Sequence, residues 1–355
     1  MASNSFGNIF RITTWGESHG AFVGVVVDGC PAGLVIDAEF IHAQLKKRAP
    51  GFHQLTSPRQ ELDEPMILSG VFEGKTTGAP ISIMIANQNV DSSKYEDIKH
   101  LMRPGHAQMP YLKKYGAFDY RGGGRASARE TACRVAAGAI AKKILNHYNI
   151  TVHCYLSQVG DMIAHQPDSW DYLQNSSLFC PDAEFENMVH TYLETIVKTG
   201  DSVGGMVSFV IEGCPGGIGD PLYNKLSASL AHALMSIPAT KAFALGAGFN
   251  SASMHGSQHN DEWVSVSKTS SNHAGGILGG ISTGMPITGE VAFKPTSSIK
   301  IAQNTLDSLG NPAKFVLPEG SRHDPCVAIR GTAVVEAMCY ITLVDAFLMS
   351  RVAKL

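Results

Sequence analysis

The chain carries two similar passages, and that repetition limits its folds more than any other feature. Gly24-Val-Val-Val-Asp-Gly29-Cys30-Pro31-Ala-Gly33 resembles Val207-Ser-Phe-Val-Ile-Glu-Gly213-Cys214-Pro215-Gly-Gly217, half a chain further on. A second pair follows in the same order, Gly74-x-x-Thr77-Gly78-x-Pro80-Ile81 and Gly280-x-x-Thr283-Gly284-x-Pro286-Ile287. Each copy reads as a strand, a tight Gly/Pro turn, an amphipathic helix and further strands. In the first copy residues 20–27 are a strand and 38–47 a helix, with Asp37 as cap and Phe40, Ile41 and Leu45 on one face. Residues 66–72 and 80–86 return as strands. The second copy offers a strand at 205–211, a helix at 222–235 and strands near Ile281 and Val291. Long helices close the halves at 127–145 and 332–348. Such grouping, without short βαβ alternation, predicts an α+β fold of layers about a pseudo-twofold axis. It would be one domain of two related halves, about 5–150 and 190–350, with a ligand site at their junction. Residues 250–272, rich in Ser, His and Asn, read as a long mobile loop over or beside that site.

Chemistry concentrates in Tyr120-Arg-Gly-Gly-Gly-Arg-Ala-Ser127-Ala-Arg-Glu130-Thr131. The glycines allow close backbone approach to a ligand, and Arg121, Arg125 and Arg129 have little local acid to neutralise them. Ser127-Ala-Arg-Glu130 reads as a capping box opening the helix, whose N-terminal N–H groups and dipole favour anions. No Gly-Lys-Ser/Thr closes a P-loop, and the later glycine of a dinucleotide fingerprint is missing. An RNA-binding Arg/Gly segment is disfavoured, because the cluster does not repeat and a helical run follows at once.

The net charge of −3 gives no global basic field for nucleic acid, so the local cations point to a small anionic molecule. Seven cysteines without a Cys-x-x-Cys pair indicate neither zinc nor a disulfide framework, and His255 and His259 read as solvated loop residues. No signal peptide is legible and no apolar run approaches bilayer length, so the expectation is a soluble cytoplasmic protein without membrane partners.

Three turns carry histidine. Gly16-Glu17-Ser18-His19-Gly20 matches a hydrolase nucleophile elbow in spacing, but a strand follows it where the elbow needs a helix, which rejects that chemistry. What remains is a polar turn whose imidazole is either structural or an acid–base group. Arg103-Pro104-Gly105-His106 precedes a short helix at 108–115. The helix end favours neutral imidazole there and a bound anion favours its cation, leaving the sign open. Arg322-His323-Asp324-Pro325 is the third turn, and Lys294-Pro295-Thr296-Ser297-Ser298 offers a cation and three hydroxyls for a phosphate or a polar ring edge.

Taken with Gly-Gly-Ile-Leu-Gly-Gly-Ile-Ser-Thr-Gly (275–284), these blocks resemble the chorismate synthase family, in the family's order over about residues 5–350. The resemblance implies helices sandwiched between two antiparallel sheets, and a homotetramer. It implies anti-1,4-elimination of phosphate from 5-enolpyruvylshikimate-3-phosphate to give chorismate, with reduced FMN and with NADPH as an indirect reductant. By position, His19 is implied to protonate or stabilise the departing phosphate, with Ser18 alongside. His106 is implied to supply a proton at the flavin. Asp324 is implied to help flavin N5 accept hydrogen, with Ser127 in the relay. Flavin contacts are implied at Arg125, Ala126, Ser127, Ala239, Gly279, Lys294, Pro295, Thr296, Ser297, Ser298 and Arg322. Substrate anions are implied at Arg48, Arg103, Arg129 and Arg134. The chain departs from the pattern at Ala49 and Gln54, where many relatives carry arginines, and at Pro238, where some carry an asparagine. Lys46, Lys47 and Arg48 are the cations left to compensate.

Overall fold

A computed structural model describes residues 3–52, 55–56, 61–89, 95–318, 320–321 and 323–354. Two antiparallel five-stranded sheets enclose a layer of helices. The first sheet comprises β1 (Ser5–Phe6), β2 (Arg11–Gly16), β3 (Phe22–Asp28), β4 (Pro65–Ile67) and β5 (Ile81–Ala86), in the order β1-β2-β3-β5-β4. The second comprises β6 (Thr151–Val159), β7 (Met162–Ile163), β8 (Gly205–Glu212), β9 (Thr240–Leu245) and β10 (Ile287–Phe293), in the order β9-β10-β8-β6-β7. Alternation sets which face turns inward: Ile81, Ile83 and Ile85 of β5 are buried, while the residues between them are half-exposed. Among the helices are α1 (Ala38–Arg48), α2 (Gln108–Tyr115), α3 (Thr131–Asn146), α4 (Leu226–Met235) and α5 (Ala328–Ser350). The first sheet carries α1 and α3, the second α4 and α5, and α3 lies along α5. The α+β sandwich expected from the sequence is the fold observed.

The two copies make the same turn. Thr76 Oγ1 donates to Pro31 O (2.6 Å) and accepts from Leu34 N (2.9 Å). Ser282 Oγ donates to Pro215 O (2.6 Å) and accepts from Ile218 N (2.9 Å). The hydroxyl that works lies one residue before the Thr77/Thr283 match seen in the sequence.

Helix α1 starts as expected, with Asp37 accepting from Phe40 N (2.7 Å), and its buried stripe is Ile41, Leu45 and Arg48. A charged residue thus takes the last position of an apolar face and is carried inward. Helix α5 is apolar on every side because it is surrounded: 83% of its most apolar stretch, of mean hydropathy 1.6, is buried in the protein. It does have bilayer-spanning length and composition, contrary to the sequence expectation, and its place in the core accounts for both. Asp345 of α5 accepts from the backbone N–H groups of Asn8, Ile9 and Phe10 (2.8, 2.7 and 3.0 Å), pinning the N-terminal segment to the other half.

Several local expectations shift. The strand expected at 66–72 breaks into Pro65–Ile67 and Val71–Phe72 around Gly70, at φ +78°. The helix expected from residue 222 begins at Leu226 after a 3-10 turn. Residues 250–272 hold a 3-10 segment, the short helix Gly256–His259 and a small hairpin, so the long loop is not featureless. His255 caps that short helix and His259 meets Ser251 Oγ at 3.3 Å.

The α3–α5 contact depends on absent side chains. A Cβ on Gly138 would stand 2.5 Å from Ala337 Cβ and 2.7 Å from its Cα. Gly138→Ala is therefore expected to lower unfolding free energy by about 1–3 kcal/mol, although alanine is the better helix former. Urea denaturation checks this, and a stabilised variant would contradict the close packing.

Candidate active site

Both central helices begin at one cavity of about 450 Å³. Its walls include Ser127 to Arg129 before α3, Asp324, Val327 and Arg330 around the start of α5, and the turns bearing His19 and His106. The segment 294–298 that follows β10 completes it, with Pro238 and Ala239. Two larger clefts, of about 1230 and 1180 Å³, contain neither His19 nor His106.

The glycine turn seats the histidines. Gly122 (φ +61°) lies so close to His19 that a Cβ there would be 2.4 Å from Nε2, and one on Gly123 (φ +95°) would be 3.2 Å from His106 Nε2. The backbone freedom anticipated for a ligand is thus used first to bring two imidazoles against one turn. His19 also meets Tyr95 edge-on, at 5.4 Å between centroids. Ser18 is buried behind it, its hydroxyl directed at Arg121 O (3.5 Å) and not among the cavity walls.

His106 Nε2 accepts from Arg103 Nη2 at 3.1 Å, which places the neutral ring's proton on Nδ1. Burial, followed by the charges of Arg103 and Lys294, pushes its pKa down to about 3. The sign left open by the sequence is resolved: without a bound anion this imidazole is neutral. Lys294 Nζ donates to Gly105 O (2.9 Å) and Ser297 Oγ (2.6 Å), so the second half clamps the turn that carries His106. Ala239, whose carbonyl accepts from Lys294 N (2.9 Å), adopts a left-handed φ of +75°, unusual for a residue with a side chain.

The arginines are less free than their spacing suggested. Arg48 and Arg129 share the buried carboxylate of Asp63, Arg48 at 2.6 Å. Burial alone would raise the Asp63 pKa, but the two guanidinium groups hold it below the usual carboxylate range. Burial pushes Arg48 down to about 10, still cationic at neutral pH. Removing one partner of a buried pair such as this costs about 3–5 kcal/mol, unlike a surface bridge. Arg121 pairs with Asp119 (2.9 Å). Glu130 does not reach back to complete the capping box; it accepts from Arg134 (3.0 Å) and Thr14 Oγ1 (3.0 Å). Ser127 accepts from Arg129 N (3.3 Å) and caps a 3-10 turn, with α3 starting at Thr131.

The structure therefore gathers His19, His106, Asp324, Ala126, Ser127, Arg48, Arg103, Arg129, Ala239 and Lys294 to Ser298 around one space. Arg125 turns away, donating to Thr14 Oγ1 (2.7 Å) and Gly16 O (3.3 Å), and Arg134 is held by Glu130 and Ser236. Both line the 1180 Å³ cleft instead. Gly279 lies in the turn between Ile277–Leu278 and Ile281–Ser282, off the cavity wall. Lys46 and Lys47 line the 1230 Å³ cleft, leaving Arg48 the member of that trio at the cavity. No residue from 250–272 lines the cavity, and Arg322 and Gln54 lie outside the described residues.

Four cavity-wall residues have buried polar atoms without a hydrogen-bond partner among the described residues: Arg48 Nε, His106 Nδ1, Thr296 Oγ1 and His323 Nδ1. An unmade hydrogen bond of this kind costs about 1–3 kcal/mol. Arg48, His106 and Thr296 offer donors, so the set suits a ligand rich in acceptor oxygens.

The family model for chorismate synthase matches residues 10–348. The chain belongs to the chorismate synthase family. It is 54% identical to the chorismate synthase of Protochlamydia amoebophila over 100% of both chains. It is 47% identical to that of Nitrosomonas europaea, covering 99% of this chain and 89% of the other. A crystal structure described as chorismate synthase superposes with a TM-score of 0.75 at 29% identity, covering 97% of this chain and 93% of that one. Membership makes the protein a carbon–oxygen lyase of the shikimate pathway.

Gly122→Ala is expected to displace His19, because Cβ and ring would overlap, and to cost about 1–2 kcal/mol for a left-handed alanine. Gly124→Ala is the control: it shares the positive φ (+54°), but its nearest neighbour is Asp119 Cβ at 3.2 Å. Imidazole NMR signals of His19 should move in the first variant only; equal shifts in both would contradict the contact.

Proposed function

We propose that the protein converts 5-enolpyruvylshikimate-3-phosphate to chorismate by anti-1,4-elimination of phosphate, with reduced FMN bound in the same cavity. The observation that carries this is the meeting of His19, His106 and Asp324, distant in sequence, in one cation-walled space of a chain matching the family throughout. Substrate and flavin each bring a phosphate, and the walls supply Arg48, Arg103, Arg129, Lys294 and Arg330 against the carboxylates of Asp324 and Asp63. The N-terminal ends of α3 and α5 add to the positive field.

Reduced flavin, when bound, supplies transient electron density to a reaction that is redox-neutral overall. Ser127, Ala239 and the segment 294–298 are the residues that would hold it. His19 protonates or stabilises the leaving phosphate. His106 is neutral beside Arg103 and Lys294 alone; a bound anion raises its basicity, so that the ring takes up a proton and, as the imidazolium, would give it up on the flavin side of the cavity. Asp324, paired with Arg330 Nη1 (2.8 Å), would orient the hydrogen acceptor. Ser127 uses an oxygen lone pair to cap the 3-10 turn, so its hydroxyl proton is free to donate into the relay. The family likeness also supports a homotetramer, a cytoplasmic location and NADPH as an indirect source of electrons.

Purified protein with reduced FMN and the enolpyruvyl substrate should release phosphate under anaerobic conditions. His19→Ala and His106→Ala should keep the circular dichroism of the parent and lower kcat by about 10²–10⁴. No turnover beside an active control enzyme would sink the assignment, and near-normal kcat in either variant would remove that residue from the mechanism.

A further inference from the structure

Asp63 lies behind the cavity wall, fully buried, at a left-handed φ of +52°. Each of its carboxylate oxygens serves a different arginine: Oδ2 accepts from Arg48 and Oδ1 from Arg129. Arg129 is occupied on its other nitrogens too, Nε donating to Asn87 Oδ1 (2.7 Å) and Nη2 to Ala86 O (2.9 Å). The Asn87 amide then donates to Glu17 O (3.0 Å) and Gly20 O (2.8 Å), the two carbonyls on either side of Ser18 and His19. In the other direction Arg330 donates from Nε to Arg48 O (2.9 Å) and from Nη1 to Asp324 (2.8 Å). An unbroken run of bonds and covalent chain thus joins the turn of His19 to Asp324, with Asp63 at its middle.

We propose that Asp63 is a positioning residue for the elimination, fixing the His19 turn through Arg129 and Asn87 and Asp324 through Arg48 and Arg330. A carboxylate present only to neutralise buried charge would not need the asparagine link, whose amide spans both sides of the His19 turn. The kinetic consequence rests on the function proposed above; the geometric one does not.

Asp63→Asn is nearly isosteric, and asparagine tolerates the left-handed backbone, but the charge is removed. The wall then becomes more positive while the guanidinium groups lose their common anchor. Turnover should fall at least about tenfold while the Kd for inorganic phosphate stays the same or tightens, a split that simple loss of fold would not give. Asn87→Asp keeps an acceptor for Arg129 Nε but removes the donor to Glu17 O and Gly20 O, and tests the link even where Asp63→Asn does not fold. In both variants the imidazole NMR signals of His19 should move from their parental positions at an unchanged melting temperature for Asn87→Asp. Unmoved His19 signals in every folded variant, or parental kcat, would overturn the proposal. Absence of turnover in the parent protein would instead reject the elimination, and the His19 signals would still decide whether Asp63 positions that turn.

Discussion

The close packing of α3 on α5 is the contact on which the site depends. Gly138 against Ala337 brings two long helices from the two halves together, and both begin at the same cavity. Their N-terminal ends add positive potential where the side-chain cations already gather. Concentrating so much like charge is unfavourable unless it is matched, and the protein matches part of it internally. Asp63 answers Arg48 and Arg129, and Asp324 answers Arg330. The remainder, including Arg103 and Lys294, is left for ligand anions, which would also satisfy the buried donors on the walls.

Arrangement by charge also accounts for the state of His106. Packed against the Gly123 backbone, fixed by Arg103 and flanked by Lys294, it has every reason to shed a proton until an anion arrives. Ligand binding and imidazole basicity are thereby coupled: an anion entering the cavity would make its histidine a better proton carrier. His19 is seated by the same glycine turn but from the other side, through Gly122. The segment rich in glycine and arginine works chiefly as a frame for two histidines, and less as a direct grip on phosphate.

Much of this was legible in the sequence, for physical reasons. The repeated Gly-Cys-Pro turns, the Asp37-capped helix and the histidine turns are local, with proline and glycine dictating backbone shape. Pairing between distant residues was not legible. Asp63 sits in Glu61-Leu-Asp63-Glu-Pro65, which reads as an acidic loop with no period, and Asn87 simply follows a strand. Arg125 and Arg134 looked like the free cations of an anion site, yet nearby carbonyls, hydroxyls and Glu130 claim them. Spacing tells which residues are neighbours along the chain; it does not tell which acceptor a long guanidinium side chain will reach.

The central claim is that one cavity holds reduced flavin beside a phosphorylated ring under the two histidines. The absorbance spectrum of the reduced FMN complex, recorded anaerobically as the enolpyruvyl substrate is added, tests it most directly. If both molecules share the cavity, the flavin spectrum should change on mixing and relax as chorismate forms. A flavin spectrum indifferent to saturating substrate would contradict the shared site.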